Sequence, residues 1–268
     1  MTLSLLLVVA LAPLVLAYVV ACFRDPLRFA LPPYAVSIQF SSLIAVGPGP
    51  FGSVSSLLGL LLGVSLLAQL MTTRPASPRL PLVVPVWLAF LALCGFTLFW
   101  SIDPAETANR FAVLSSLVLL FVAIALTRFD RQAFQLFEAA LILGGVLVVA
   151  YGLAQVLFLG GFPTPDGGAA RFGNDLLGPN NQAASLLLPI AIAAARALTG
   201  SLRWRLVHGG AVLMMVLGVV MTGSRGGLVA MLVALGAIVL FGAVRRGAAL
   251  ALAGVATVLT ALNRKSVV

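Results

Sequence analysis

Long apolar runs alternate along the chain with short clusters of charge or of Gly, Pro and Asn. The runs lie at approximately 3–23, 29–46, 53–72, 80–100, 110–127, 133–159, 181–200, 206–222, 227–244 and 247–262. A bilayer core roughly 30 Å thick is crossed by about 20 helical residues, the length of most of these runs. The pattern therefore predicts an all-α fold, a polytopic transmembrane helical bundle of about ten spans. It is read as one membrane domain over residues 1–268, with its chemistry-bearing region at about 100–245. The second run is the weakest. Pro32, Pro33 and the Gly47-Pro48-Gly49-Pro50 turn make it short, in the manner of a re-entrant segment. The first run lacks both a charged start and a small-residue cleavage site before Arg24, so it reads as a membrane helix and not as a signal peptide.

Composition sharpens the class. Of the 268 residues, 62% are hydrophobic and 9% charged, with a mean hydropathy of +1.16. A soluble domain carries about a quarter charged residues. A soluble enzyme, a disordered chain and a secreted disulfide scaffold are thereby excluded. Cys22 and Cys94 both fall within apolar runs, which argues against a structural disulfide.

The net charge of +9 changes the picture less than it first promises. Nucleic-acid readers gather basic groups into a continuous stripe. Here they stand in ones and twos between apolar runs, the arrangement of topology determinants, so no nucleic-acid partner is read. One set of alternating loops holds eleven arginines: Arg24, Arg28, Arg74, Arg79, Arg128, Arg131, Arg196, Arg203, Arg205, Arg245 and Arg246. The opposite set holds five basic residues, Arg110, Arg171, Arg225, Arg264 and Lys265. Cytoplasmic loops carry the excess, which places the first set inside and the N-terminus outside.

Candidate chemistry sits in two of the outer loops. The longer runs from Gly160 to Asn180 and contains Arg171, on the side where positive charge is disfavoured. It leads into Pro179-Asn180-Asn181-Gln182-Ala183, where Asn180 or Asn181 is expected to cap the next helix. The other is the tight turn Thr222-Gly223-Ser224-Arg225-Gly226-Gly227. Arg225 lies there at a membrane surface, its guanidinium suited to bidentate bonds with phosphate, and the glycines let backbone N–H groups approach the same oxygens. Each loop opens a helix whose positive N-terminal end faces outward. Two arginines and two helix starts on one face make a candidate diphosphate site: Arg225 catalytic, with Arg171, Asn180, Asn181 and Ser224 binding beside it.

Other polar residues carry less. Trp100 reads as an interfacial anchor, with Asp103 and Glu106 solvated beside it. Glu138 is expected to pair with Arg131 or Arg196, and Gln155 to bond between helices. His208, the only histidine, falls on the side opposite the arginines. No metal-ligand spacing, phosphate-binding loop or catalytic triad pattern is seen, so neither a metal nor a cofactor is implied.

At these loops the sequence resembles the O-antigen ligase and O-antigen polymerase superfamily of polytopic membrane proteins. The resemblance rests on Arg171-Phe172-Gly173, on Gly178-Pro179-Asn180-Asn181-Gln182-Ala183, and on Thr222-Gly223-Ser224-Arg225-Gly226, with Arg225 45 residues after Asn180. Trp100-Ser101-Ile102-Asp103-Pro104 is similar to an earlier outer loop of the family. Where the family has Asn-Pro-Asn, Gly178 stands in place of the first Asn. The resemblance implies a glycosyltransferase that moves a glycan from undecaprenyl diphosphate to lipid A–core, another glycan or a protein hydroxyl, on the outer face of a bacterial inner membrane. It also implies a large outer loop carrying an acceptor-activating histidine after about the tenth span. His208 matches neither that position nor that side, and the sequence reaches Val268 before such a loop. It therefore reads as an N-terminal portion without a complete active site. The competing classes are a membrane transporter and a non-catalytic membrane protein. Transporters place polar groups near mid-bilayer on broken helices, whereas the arginines here stand at run ends.

Overall fold

The computed structural model describes residues 3–40, 53–72, 81–158, 172 and 178–241. Its described elements are helical: α1 (Leu3–Arg24), α2 (Pro26–Phe29), α3 (Leu31–Ile38), α4 (Val54–Thr72), α5 (Val83–Phe96), α6 (Pro104–Leu126), α7 (Arg131–Phe158), α8 (Gly178–Thr199), α9 (Leu202–Met221) and α10 (Arg225–Phe241). A 3₁₀ turn, Thr97–Trp100, extends α5. Six helices among the described residues are long and apolar enough to cross a membrane: α4, α5 with its extension, α6, α7, α8 and α9. This is the architecture of a membrane protein.

The count of about ten spans is not reached among the described residues. The run at 29–46 is described only to residue 40, where it holds α3; Ala30 separates α3 from α2, which Asp25 caps through its side chain and Pro26 opens. Pro32 and Pro33 then fall in the first turn of α3, where a missing N–H costs nothing. The 8 residues of α3 rise only about 12 Å, far short of a bilayer. Helix α10 is described over 17 residues, Arg225–Phe241, and the rest of its run lies outside the described residues. The run at 247–262 lies outside the described residues.

The chain divides into two compact units, one of Met1–Tyr34 and Ser56–Phe134, the other of Ala35–Ser55 and Gln135–Val268. In the first, α5 and α6 form a hairpin. Asp103 caps α6 by accepting from the Glu106 N–H at 3.0 Å, with Pro104 at the first helical position. Glu106 pairs with Arg110 one turn on, at 2.7 Å. The hairpin closes at Gly95, where a Cβ would lie 3.2 Å from the Phe111 ring. Phe99, Trp100 and Ile102 project from its tip, an exposed aromatic collar suited to a headgroup layer.

At another place in this unit Arg28 pairs with both Asp25 and Asp130. Asp130 also accepts from the Ala133 N–H at 2.6 Å, capping α7. That backbone bond, and then the Arg28 guanidinium, hold its carboxyl below the usual carboxylate range. The pair brings together two loops, 102 residues apart, that the charge count assigns to one side.

The second unit has the larger core, built from α7, α8, α9 and α10. Val148, Val149, Ala183, Leu186, Ile190, Met215, Val219 and Met231 are buried in it. Glycines set the crossings. A Cβ on Gly145 would meet Met215 Sδ at 2.6 Å, and one on Gly218 would meet Val149 Cγ2 at 2.3 Å. Such small residues let helix backbones approach where lipid supplies no hydrophobic drive to association. Arg196 near the end of α8 pairs with Glu138 near the start of α7, one of the two partners expected. Gln155, expected to bond between helices, instead donates to the Tyr151 hydroxyl one turn back in α7, at 2.8 Å. Cys22 and Cys94 are both free thiols.

Candidate functional site

The turn from α9 to α10 is built by its own side chains. Gly223 takes φ +62°, the left-handed region that costs a glycine nothing, and so reverses the chain. Thr222, fully buried, donates its hydroxyl to the Val219 carbonyl at 2.7 Å and accepts from the Ser224 N–H at 3.2 Å. Ser224, also buried, accepts from the Gly227 N–H at 3.0 Å and thereby caps α10. Its hydroxyl oxygen thus serves the helix start.

Arg225 is the first residue of α10 and is exposed. It forms no ion pair with an acid among the described residues. The first N–H groups of a helix have no intrahelical acceptor. Gly227 has found one in Ser224, while those of Arg225 and Gly226 have no acceptor among the described residues. Gly226 faces open space, with nothing within 4 Å of where a Cβ would stand.

Helix α8 starts at Gly178, earlier than the Asn cap predicts. Gly178 has φ +69°, Pro179 supplies a preset φ for the first turn, and Asn180 and Asn181 therefore lie within that turn with exposed side chains. The left-handed backbone at Gly178 is a conformation that glycine adopts at no cost and that Asn tolerates next best.

Sequence left open whether the two helix starts meet. A Cβ on Gly227 would stand 2.5 Å from the Ala183 Cβ, so the first turn of α10 packs against the second turn of α8. A third strand of chain joins them at Phe172, whose N–H donates to the Met221 carbonyl at 3.0 Å. Its buried ring occupies the place where Gly152 has no side chain; a Cβ there would lie 2.3 Å from it. Phe172 follows Arg171 in sequence, and Arg171 itself lies outside the described residues. Of the candidate residues, Asn180, Asn181, Ser224 and Arg225 belong to this one end of the second unit.

His208 stands elsewhere, early in α9, its Nδ1 2.7 Å from the Trp204 carbonyl oxygen and its ring against the indole. No group of three or more His, Cys, Asp or Glu fit to hold a metal occurs among the described residues.

Sequence reasoning missed Gln39. It is buried, and its Nε2 donates to the Ser185 carbonyl of α8 at 3.2 Å, 146 residues away. A lone amide in an apolar run was the available signal, but its partner could not be read from spacing.

A scan against known protein families, a search of curated proteins and a search of solved structures each return no match. The site must be read from its own geometry and from the motif resemblance.

Proposed function

We propose that this chain acts as an O-antigen ligase-like glycosyltransferase component of the bacterial inner membrane. It would bind an undecaprenyl diphosphate-linked glycan at its outer face, for transfer to lipid A–core, another glycan or a protein. The observation that carries the reading is the contact of Gly227 with Ala183, which sets two helix starts side by side. Next to them stands an arginine with no acidic partner among the described residues.

The chemistry follows from charge. As the bond between the sugar and the diphosphate breaks, negative charge grows on the leaving phosphate oxygens. Arg225 is placed to take two of those oxygens in its planar fork, while the open N–H groups of Arg225 and Gly226 take others. Fixed donors of this kind stabilise developing charge without reorganising. Asn180 and Asn181 supply further amide donors from the adjoining helix start, and the Ser224 hydroxyl supplies its proton. Arg171 is assigned to the same diphosphate from its place in the motif. The apolar helices would hold the polyprenyl tail in the membrane.

The test uses the purified chain in proteoliposomes, with polyprenyl diphosphate binding competed by inorganic pyrophosphate. Arg225→Ala is expected to weaken binding roughly tenfold or more, and Arg225→Lys less, since it keeps the charge but loses the fork. Undiminished binding by both Arg225→Ala and Arg171→Ala would remove the diphosphate assignment. Glycan transfer to an added acceptor, measured on the same variants, tests the enzymatic part.

A further inference from the structure

Helix α8 contains Pro189, buried in the core of the second unit. In an α-helix the carbonyl at position i−4 accepts from the N–H at i, and proline has no N–H. The carbonyl orphaned by Pro189 is that of Ser185. It is the same carbonyl to which Gln39 donates. In a membrane interior such freed backbone groups must be re-satisfied by protein or by water. The amide orientation is fixed by this bond, because turning it over would set Oε1 against the Ser185 carbonyl oxygen. Oε1 itself is buried with no donor among the described residues. The close approach is permitted by Gly144, where a Cβ would lie 3.1 Å from Gln39 Cγ.

Ser185 lies two residues beyond Ala183, the contact that joins α8 to α10. We propose that Gln39 is a positioning residue: its amide N–H replaces the one Pro189 lacks and holds the second turn of α8, which contacts α10, in place beside the anion seat. The inference rests on the functional reading above. It adds a residue remote in sequence that fixes the site without touching the ligand.

The experiment uses the full chain in lipid nanodiscs, with pyrophosphate affinity at low ionic strength and the thermal midpoint as separate readouts. Four proteins are compared: unaltered, Gln39→Met, Pro189→Ala, and the double variant. Methionine keeps length and volume but donates nothing, and Pro189→Ala restores the backbone N–H. Gln39→Met is expected to weaken pyrophosphate binding about fivefold when Pro189 is present, and less than about twofold in the Pro189→Ala background. A packing role would not be rescued in this way, so equal losses in both backgrounds overturn the proposal. So does a lowered midpoint with unchanged affinity. If Gln39→Met does not fold, recovery of folding and binding in the double variant supports the proposal, and failure of both overturns it. Should the unaltered chain not bind pyrophosphate, or Arg225→Ala bind it as tightly, the anion seat fails and the role of Gln39 toward it fails with it. The melting curves then report only on the Ser185 carbonyl.

Discussion

Of the apolar 18-residue window of Val83–Trp100, 6% is buried, against 39% for that of Gly178–Thr199. Yet the first is the more apolar, with a mean hydropathy of 2.1 against 1.4. In water the order would be reversed, because apolar area drives burial. In a bilayer the tails are as apolar as any side chain, so hydropathy decides only that a helix enters the membrane. What decides helix-to-helix burial is how closely backbones can approach. The α7–α8–α9–α10 group meets at Gly145, Gly218 and Gly227, each without room for a methyl group, and α8 is itself rich in alanine. The α5–α6 hairpin has a looser glycine contact, Gly95 with Phe111, and leaves Val86, Leu88, Phe90 and Leu93 facing outward. The candidate site lies at the end of the tightly crossed group. A site made of two helix starts needs those starts held together, and glycine crossings do that.

The sharpest way to break this comparison is one methyl group placed in each unit. Gly227→Ala drives a Cβ into the Ala183 Cβ, which cannot rotate away, and is expected to destabilise by about 1–3 kcal/mol and to weaken pyrophosphate binding. Gly63→Ala in α4 meets nothing within 4 Å and replaces a poor helix former by the best, so it should stabilise by up to about 1 kcal/mol. Thermal midpoints in one lipid composition check both signs. Equal and small effects would mean that glycine crossings do not hold the second unit together.

A milder contrast comes from truncating leucines. Leu186→Ala opens a cavity between α8 and Gly218, whereas Leu93→Ala exchanges one lipid-facing surface for another. The first should cost roughly 1–3 kcal/mol, below the range of water-soluble cores because the transfer part is missing, and the second close to nothing. Unfolding in mixed micelles measures the difference.

The smallest effect is electrostatic and belongs to the first unit. Asp130 has its carboxyl depressed by the Ala133 N–H and by Arg28. A group whose folded value lies below its unfolded value stabilises above the unfolded one and loses that contribution as pH falls through the folded one. The gap in thermal midpoint between the unaltered chain and Asp130→Ala should therefore be widest near neutrality. It should close on acidification below the ordinary carboxylate range. A gap independent of pH would mean that the carboxylate charge contributes nothing there.

Much of the helical layout was legible because a helix in a membrane satisfies its own backbone, so each apolar run reports its element locally. The predicted run 53–72 became Val54–Thr72, 133–159 became Arg131–Phe158, and 206–222 became Leu202–Met221. Caps were less legible: Asp103 starts α6 and Ser224 starts α10, neither read as a cap from the sequence, while the cap expected at Asn180 or Asn181 gave way to a start at Gly178. The two loops that Arg28 and Asp130 join are the ones that charge alone assigns to one side. Within the run at 29–46 the described helix, Leu31–Ile38, is shorter than a span, and its prolines mark the run as the weakest.

By itself, then, the sequence determined that this is a helical membrane protein. It also determined where most helices run and which turns carry arginine, because hydropathy and charge act over a few residues. Only the tertiary structure decided which helix starts meet and which of two apolar helices is buried. It also decided that Gln39 serves the carbonyl Pro189 leaves open. Those outcomes depend on contacts between residues far apart in the chain, set by the shapes of glycine, alanine and proline at the crossings and not by how apolar each segment is.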